Sequence, residues 1–295
     1  MLSKKIKGED RKSRLSPLTV VMLVLLVAYC VMLLGLIFWM TITALKKPLG
    51  FNTNRVGLPD PWYFKNFGYV LKNAQIEKEQ GVVPFAEIIL NSVVYAVGCA
   101  VVNTFVTMLV AYLCAHYKNK FSSFVYSLVL VVMVIPVVGN QTSELQTAIN
   151  LGIYDSMLGM LIMRATFLGL YFLVFHEMFR SVPSTLSEAA EIDGAGDFLI
   201  MVRIYFPLAR NTALTVLLIY FIQYWNNFQT PMLFVPNHPT LAEYLFRIVQ
   251  LSKGEFSRVP VQMSAALMLL APVAVIFLCS HKWLLGNLSI GGVKG

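Results

Sequence analysis

The chain has 295 residues, of which 57% are hydrophobic and only 13% are charged. Soluble domains carry about 25% charged residues, so this composition and a mean hydropathy of +0.69 exclude a disordered chain and argue against a water-soluble globule. The formal net charge of +8 is typical of membrane proteins that retain Lys and Arg on the cytoplasmic side. We therefore expect membrane lipid, and no nucleic acid, as a partner.

Six apolar segments are long enough to cross a bilayer. They comprise residues 18–45, 88–117, 121–138, 158–175, 212–228 and 263–280. In hydrocarbon every backbone amide and carbonyl must be paired within the segment, and the alternating ten-residue segments of a strand barrel are missing from the sequence. The pattern therefore predicts an all-α polytopic membrane protein with six transmembrane helices.

The first apolar segment follows a basic stretch, with six Lys and Arg residues between Lys4 and Arg14. Its apolar run is about twice as long as that of a signal peptide, so we expect an uncleaved helix whose basic tail stays in the cytoplasm. Six crossings then place both termini in the cytoplasm. The loop at 139–156, which has no Lys or Arg, falls on the outside.

This topology divides the chain into successive regions. They are a cytoplasmic basic tail (1–17), the first helix (18–45), an extracytoplasmic loop (46–87), a core of five helices (88–284) with a cytoplasmic loop (177–211), and a cytoplasmic tail (285–295). Pro136, in the third segment, is expected to kink its helix or to end it.

The cytoplasmic loop 177–211 is acidic, although the inner side of a membrane protein favours basic residues. Thr185 and Glu188 have the spacing of a capping box, and residues 186–192 suit a two-turn helix. Gly194 then stands where a helix commonly ends. The pattern predicts a short helix that projects from the cytoplasmic face.

Two interpretations of this short helix remain open from the residues alone. The small side chains of Ala189 and Ala190 would let the backbone of a partner approach closely, and Glu188 could pair with an Arg of that partner. Alternatively, the helix is a solvated amphipathic segment on the inner membrane surface. We expect Asp197 to cap a second helix, which Pro207 terminates near the next span.

Several residues of this loop have the spacing of a known motif. They are Glu188, Ala189, Ala190, Gly194, Ile204 and Pro207. The pattern resembles the EAA motif, which marks the integral-membrane permease subunits of binding-protein-dependent ABC importers. Glu191 departs from the family pattern, in which a base is common at that position.

Weaker matches to the same family follow in order along nearly the whole chain. They are Asn91–Ser92, Ala111–Tyr112, Trp225–Asn226 and the glycine-rich end 291–295. The last of these resembles the tail of the carbohydrate branch, the group of the maltose permease MalG.

The resemblance implies a MetI-like bundle of five core helices with an added first helix. It also implies a second permease subunit in a heterodimer, a cytoplasmic ATPase dimer, and an extracytoplasmic solute-binding protein that delivers a carbohydrate, which in this branch we expect to be an oligosaccharide. The protein would be a multi-pass component of the bacterial inner membrane. The residues implied in ATPase coupling are Glu188, Ala189, Ala190, Asp193, Gly194, Ile204 and Pro207.

The sequence carries no signature of an enzyme. It lacks a G-x-x-x-x-G-K-[ST] phosphate loop, and the four histidines lack metal-ligand spacing. We therefore expect this chain to bind no cofactor or metal, with ATP and Mg on the partner ATPase.

Polar residues within the spans are candidates for the substrate pathway. Arg164 is the one charge inside a predicted span, and such charges usually face protein or water. Three interpretations of Arg164 remain open: pairing with another residue of the protein, direct contact with the ligand, or snorkelling of the side chain to the membrane surface. The other candidates are Asn103, Tyr220, Gln223, Tyr224 and Asn226. Their aromatic faces and amides suit sugars, although packing and hydrogen bonding between helices would require the same residue types.

Two rival functions use the same composition. An ion-coupled secondary transporter would place Asp, Glu or His within its spans, and the only such residue is His116 at the inner edge of the second segment. A non-transporting membrane scaffold would need neither a docking helix nor a polar pathway.

Overall fold

The computed structural model describes residues 16–73, 75–78, 81–135, 139–251 and 254–288, and most of them are helical. In chain order, the α-helices are α1 (Pro17–Ala44), α2 (Lys65–Asn73), α3 (Phe85–His116), α4 (Lys120–Val134), α5 (Gln141–Asn150), α6 (Met157–Met163), α7 (Leu170–Arg180), α8 (Thr185–Ile192), α9 (Asp197–Ile200), α10 (Phe206–Asn226), α11 (Gln229–Phe234), α12 (Leu241–Leu251) and α13 (Val259–Leu288). The other elements are 3-10 turns at Gly50–Asn52 and Gly254–Ser257, a π-helical turn at Met201–Tyr205, and the strands β1 (Gln75–Lys78) and β2 (Gly81–Pro84).

Four helices in the described part of the chain are long and apolar enough to cross a membrane. They are Pro17–Ala44, Phe85–His116, Asp197–Asn226 and Val259–Cys279, and they correspond to the first, second, fifth and sixth predicted segments. The third segment contains α4, which has 15 residues; Pro136 lies outside the described residues, as do most of the basic tail and the glycine-rich end.

The fourth predicted segment, 158–175, is not one continuous helix, and that prediction is wrong. Between α6 and α7 the chain is irregular: Arg164 caps α6, and Gly169 before α7 has a φ of +151°, which favours glycine. The hydroxyl of Thr107 in α3 donates to the carbonyl of Thr166 at 3.1 Å. A non-helical segment at membrane depth is tolerated where neighbouring protein groups pair its backbone in this way.

Among the described residues, helix α1 is largely exposed and becomes buried near its carboxyl-terminal end. Ser16 caps it by accepting the N–H of Thr19 at 3.2 Å, and the apolar side chains of residues 18–38 are largely exposed. The buried residues lie in its last turn, at 42–44. An uncharged helix with so much exposed apolar surface is stable only against lipid or another apolar surface.

Helix α3 is the central element of the bundle and packs against α10 and α7, with buried positions from Ile88 to Tyr112. One apolar cluster joins the first part of α3 to the last part of α10 and to α12 and α13; a second joins the last part of α3 to α4, α7 and the first part of α10. The Trp225 indole in the first cluster donates to the Leu269 carbonyl at 2.9 Å. We call the end of the bundle at the first cluster the α12 end and the end at the second cluster the α8 end.

A short hairpin covers the α12 end. Strands β1 and β2 are antiparallel, with Ile76 opposite Val83, and both of these side chains are buried in the first cluster. Lys78 then donates to Glu243 of α12 at 2.8 Å, and Arg247 donates to the same Glu243 oxygen at 2.9 Å. The Glu243 side chain is fully buried, so this pair of bases neutralises a carboxylate that would otherwise be costly to bury.

We predict that Glu243→Gln destabilises the protein strongly, because the nearly isosteric amide leaves the buried Lys78 ammonium without its counter-charge. Removing one partner of a buried ion pair costs about 3–5 kcal/mol. The control is Glu255→Gln, since the Glu255 pair with Arg258 is partly exposed and is worth about 1 kcal/mol or less. The measurement is the unfolding midpoint of both variants in detergent; equal midpoints would contradict a structural role for the buried pair.

Candidate functional site

Helix α8 follows α7 after a four-residue connection and is the short helix that the sequence predicts. The predicted capping box is wrong, however: Ser184 is the N-cap residue, Thr185 is the first helical residue, and no capping side chain bonds to the helix. Ser184 has φ −61° and ψ −23°, whereas a capping residue normally has extended backbone angles that direct its oxygen towards the helix amides. The Ser187 hydroxyl donates to the Ser184 carbonyl at 2.8 Å instead.

The other end of α8 agrees with the predicted helix stop. Gly194 has a φ of +85°, its N–H donates to the Glu191 carbonyl at 3.0 Å, and the N–H of Ala195 donates to the Ala190 carbonyl at 2.9 Å. These two bonds form a Schellman motif, which pairs the last carbonyls of a helix and requires a left-handed residue at the position of the glycine. The direction in which the chain leaves α8 is therefore fixed by hydrogen bonds.

The exposed face of α8 carries both charge and apolar surface. Ser187 is buried, and Ala190 packs against the apolar cluster at the α8 end. Glu188 and Ala189 are exposed, and Ile192 is 87% exposed. Asp193 and Gly194, the next coupling candidates, are exposed too. The exposed face of α8 therefore presents a carboxylate, an alanine and an isoleucine together.

An aromatic cluster joins the elements that precede and follow α8 in the chain. The Tyr112 ring of α3 lies 5.6 Å from the Phe179 ring of α7 and 5.1 Å from the Tyr205 ring of the π-helical turn. All three residues are buried. Offset and tilted ring contacts at these distances each add to the free energy of apolar burial, so α3, α7 and the segment after α8 are packed into one unit.

The sequence predicted that Asp197 caps α9, and that prediction is wrong. Gly196 is the N-cap residue, and Asp197 is the first helical residue. Its carboxylate instead accepts a hydrogen bond from the Tyr117 hydroxyl at 2.7 Å. A carboxylate in a first helical turn is also stabilised by the helix dipole.

Pro207 does not terminate a helix, and that prediction is also wrong. Residues from α9 to α10 form one helical run, and Pro207 lies in the first turn of α10 after the π-helical turn. Proline lacks an N–H and clashes with the carbonyl four residues earlier, and a local π-helical turn is a common way to accommodate a disturbed hydrogen-bond ladder. Ile204, in that turn, packs on the aromatic cluster, while Pro207 is exposed.

Three of the pathway candidates lie together between α3 and α10. Asn103 is buried and donates to the Tyr224 hydroxyl at 2.7 Å, and the Tyr220 ring lies 6.2 Å from the Tyr224 ring. Thr107 lies 3.3 Å from the Asn103 side-chain oxygen. These contacts place Asn103 and Tyr224 in a hydrogen bond between helices, which is the packing alternative that the sequence left open.

Gln223 and Asn226 lie apart from this group. Both are exposed, and the Asn226 amide donates to the Ile222 carbonyl of its own helix at 2.8 Å. Asn226 lies about 120° from Tyr220 around the axis of α10, on another face, whereas Gln223 lies about 60° from Tyr220, at the edge of the tyrosine face. The structure therefore does not assemble the amides and the aromatic rings into one group.

Arg164, the charge predicted within a span, is paired. Its guanidinium donates to the Glu144 carboxylate of α5 at 3.0 Å and lies 5.8 Å from the centre of the Phe234 ring. The nearby connection between α5 and α6 is tied to α11 and to the loop that follows it, because the Asp155 N–H donates to the Phe234 carbonyl at 2.9 Å and the Asp155 carboxylate accepts two hydrogen bonds from Asn237. Arg164, at the end of α6, therefore links α5 to the break between α6 and α7.

Sequence reasoning missed several residues that organise these sites. Thr107 follows Asn103 by four residues on α3, which places both on one face, and this spacing was a usable signal. Glu144 and Tyr205 had no local signal, because their partners lie 20 residues or more away in sequence.

The comparisons with known proteins identify the family. Residues 104–287 match the family described as "Binding-protein-dependent transport system inner membrane component". The chain belongs to this family. The matched residues include α8, the π-helical turn and α10, and the resemblance inferred from the spacing of residues 188–207 is confirmed. Members of this family are integral membrane components of transport systems, so the chain is a transport subunit.

Two relatives in this family match most of the chain. The chain is 25% identical over 262 residues to the "Melibiose/raffinose/stachyose import permease protein MelC" of Bacillus subtilis (strain 168), which covers 88% of this chain and 91% of that protein. It is 24% identical over 249 residues to the "Arabinooligosaccharides transport system permease protein AraQ" of the same strain, which covers 82% of this chain and 84% of that protein.

A solved structure has the same fold. It is a chain in the "Crystal structure of a bacterial ABC transporter involved in the import of the acidic polysaccharide alginate", which matches with a TM-score of 0.76 and 21% sequence identity over 95% of this chain and 99% of that chain. The predicted MetI-like permease fold is therefore confirmed at the level of the helical bundle.

We predict that Gly194→Ala loosens the end of α8. A residue with a side chain in the left-handed conformation costs about 1–2 kcal/mol, so the amides of residues 190–196 should exchange with deuterium about 5–30 times faster. Gly196→Ala is the matched control, because Gly196 has φ −77° and open space for a side chain. Equal exchange in the two variants would show that Gly194 is not required for the helix stop.

We also predict that the Arg164–Glu144 pair is structural. Arg164→Glu and Glu144→Arg should each lower the unfolding midpoint, by an amount equivalent to about 1 kcal/mol because both side chains are partly exposed. The double variant, which reverses the pair, should recover most of that loss. A double variant that is no more stable than either single variant would contradict the structural role of the pair.

Proposed function

We propose that this chain is the transmembrane permease subunit of an ATP-driven importer, and that its substrate is a carbohydrate, in particular an oligosaccharide. The observation that supports the transport mechanism is the geometry of α8, a hydrogen-bonded helix with Glu188, Ala189 and Ile192 exposed on one face. The substrate class is supported by the names of MelC and AraQ, which are import or transport permeases for oligosaccharides.

The topology that we propose has six crossings and both termini in the cytoplasm. The four long apolar helices supply four crossings, the segment of α4 supplies one, and α6 with α7 supply one broken crossing. The basic residues Lys118 and Lys120 and the α8 segment then lie on the cytoplasmic side, whereas the hairpin and α12 lie outside. The regions 1–17, 46–87 and 285–295 keep the sides that the sequence predicts.

The partners that we propose follow from this orientation. A cytoplasmic ATPase dimer would receive α8, a second permease subunit would cover the exposed surface of α1, and a solute-binding protein would dock outside, in the inner membrane of a bacterium. This chain would bind no cofactor itself, and ATP and Mg would be held by the ATPase.

The coupling that we propose uses α8 as a lever. Movement of the ATPase would be passed to Glu188, Ala189, Ala190, Asp193 and Gly194, and from there through Ile204 and Pro207 to α10. The lever is stiff because the Schellman motif fixes one end of α8 and aromatic packing fixes the following turn. A two-state motion in one subunit can drive another only when such a connection is rigid.

The experiment that tests this function is Glu188→Lys in the complex with its cognate ATPase. A reversed charge at the centre of the docking surface should lower ATPase retention on the purified complex roughly tenfold or more and uncouple uptake from ATP hydrolysis, with normal membrane insertion.

The matched control for that experiment is Glu191→Lys. It makes the same charge change on the same helix, about 60° away from Glu188 around the helix axis, at a position where the family commonly has a base. It should leave ATPase retention nearly unchanged. Unaltered retention and uptake in Glu188→Lys would refute the docking role of α8.

A further inference from the structure

A cleft of about 890 Å³ opens at the α8 end, where α3 leads into α4. Its walls are the last residues of α3, the first half of α4 and the last turns of α7. The side chains that bear on its chemistry are Lys118, Lys120, Ser123, Ser127, His176 and Arg180. The cleft is distinct from the exposed face of α8 and from the Asn103–Tyr224 contact.

The cleft is positively charged. Lys118, Lys120 and Arg180 belong to its lining, and none of the described residues that line it is an Asp or a Glu. Outside the lining, the Glu177 carboxylate is 60% exposed and lies 3.9 Å from the Arg180 guanidinium and 3.3 Å from the buried His176 ring, and the Asp197 carboxylate is bonded to Tyr117. Three cations therefore line the cleft without a carboxylate in its walls, which favours a negatively charged occupant.

Two serine hydroxyl groups of the cleft are already engaged. Ser123 donates to the Asn119 carbonyl at 3.2 Å, and Ser127 donates to the Ser123 carbonyl at 2.9 Å. The Asn119 side chain caps α4 by accepting the Ser122 N–H at 2.8 Å. The charge that attracts an anion comes from the basic side chains, and the positive end of the dipole of the 15-residue α4 adds to their field.

An apolar strip on α4 adjoins the cleft. Phe121 and Phe124 are 72% and 63% exposed, and Leu128 and Val131 continue the strip along the same side of the helix. Lys120 and Ser127 lie on the neighbouring side, towards the cleft. A cationic pocket beside an apolar helix face at the end of a span matches a molecule with a phosphate head and hydrocarbon tails.

We propose that this cleft binds the phosphate of an anionic phospholipid headgroup, with the acyl chains along the Phe121–Val131 strip of α4. The cleft is much larger than a bare phosphate, which suits a headgroup, and its basic residues lie on the side of the membrane that positive charge favours. The binding does not depend on the transported substrate, so it can be tested without measuring transport.

The test is native mass spectrometry of the purified full-length chain in detergent with added phosphatidylglycerol or phosphatidylcholine. The wild-type chain should retain phosphatidylglycerol preferentially, and the double variant Lys118→Gln/Lys120→Gln should lose that preference roughly 30-fold, as two lysines near an anionic lipid would predict. Arg180→Gln, on the opposite wall, should weaken it as well. The control Arg203→Gln/Arg210→Gln removes two exposed charges outside the cleft and should retain the lipid normally.

Inorganic phosphate separates the lipid from a soluble phosphate. Excess inorganic phosphate should leave phosphatidylglycerol bound, because the acyl chains contribute to its affinity. If inorganic phosphate raises the unfolding midpoint of the chain and phosphatidylglycerol is retained no better than phosphatidylcholine, the lipid assignment is overturned. Unchanged lipid retention in both Lys118→Gln/Lys120→Gln and Arg180→Gln, with normal unfolding midpoints, would overturn the site itself.

Discussion

The requirement that governs this structure is that a helix inside a membrane has no water to pair its backbone where it stops. The break between α6 and α7 meets this requirement because Thr107 bonds the carbonyl of Thr166. Outside the spans, the helix stop at Gly194 closes α8 with two backbone bonds. Candidate functional residues lie at both places, with Arg164 at the start of the break and Glu188 to Gly194 on α8, whereas Asn103 and Tyr224 lie within continuous helices.

Helix α3 connects these irregular sites. Its residues Asn103 and Thr107 bond to α10 and to the broken segment between α6 and α7, respectively. Five residues beyond Thr107, the Tyr112 ring packs on the Tyr205 ring in the π-helical turn that follows α8 and α9. Tyr117, just past its end, bonds to Asp197 at the start of the α9 helix. One helix therefore contacts both the segment that would receive force from an ATPase and the polar contacts in the bundle interior. A displacement of α8 that preserved these contacts would have to move the α3–α10 pair with it.

The elements with short-range signals were predictable, and those that depend on distant partners were not. The apolar runs located α1, α3, α10 and α13, and the glycine at 194 located the end of α8, because length and backbone conformation are local properties. The break in the fourth segment was missed because residues 158–175 are largely apolar and carry a single charge, at Arg164. The group that pairs the backbone in the break is Thr107, which belongs to α3 and lies far away in sequence. Pro207 was misread as a stop for a related reason: a proline is compatible both with the end of one helix and with the first turn of the next, and only the π-helical turn before it decides between them.

The pathway candidates illustrate a limit of residue type as a guide to function. Tyrosine and asparagine suit a sugar, but Asn103 and Tyr224 satisfy each other at 2.7 Å, and a buried amide that lost this partner would carry a desolvation cost of about 1–3 kcal/mol. A ligand could recruit these groups only by replacing that bond. Gln223 and Asn226, by contrast, are exposed and have amide capacity to spare, since the Asn226 bond to its own helix uses one donor. A second subunit packed on this face of α10 would therefore find these exposed amides already presented to it, whereas the tyrosine group is held inside this chain.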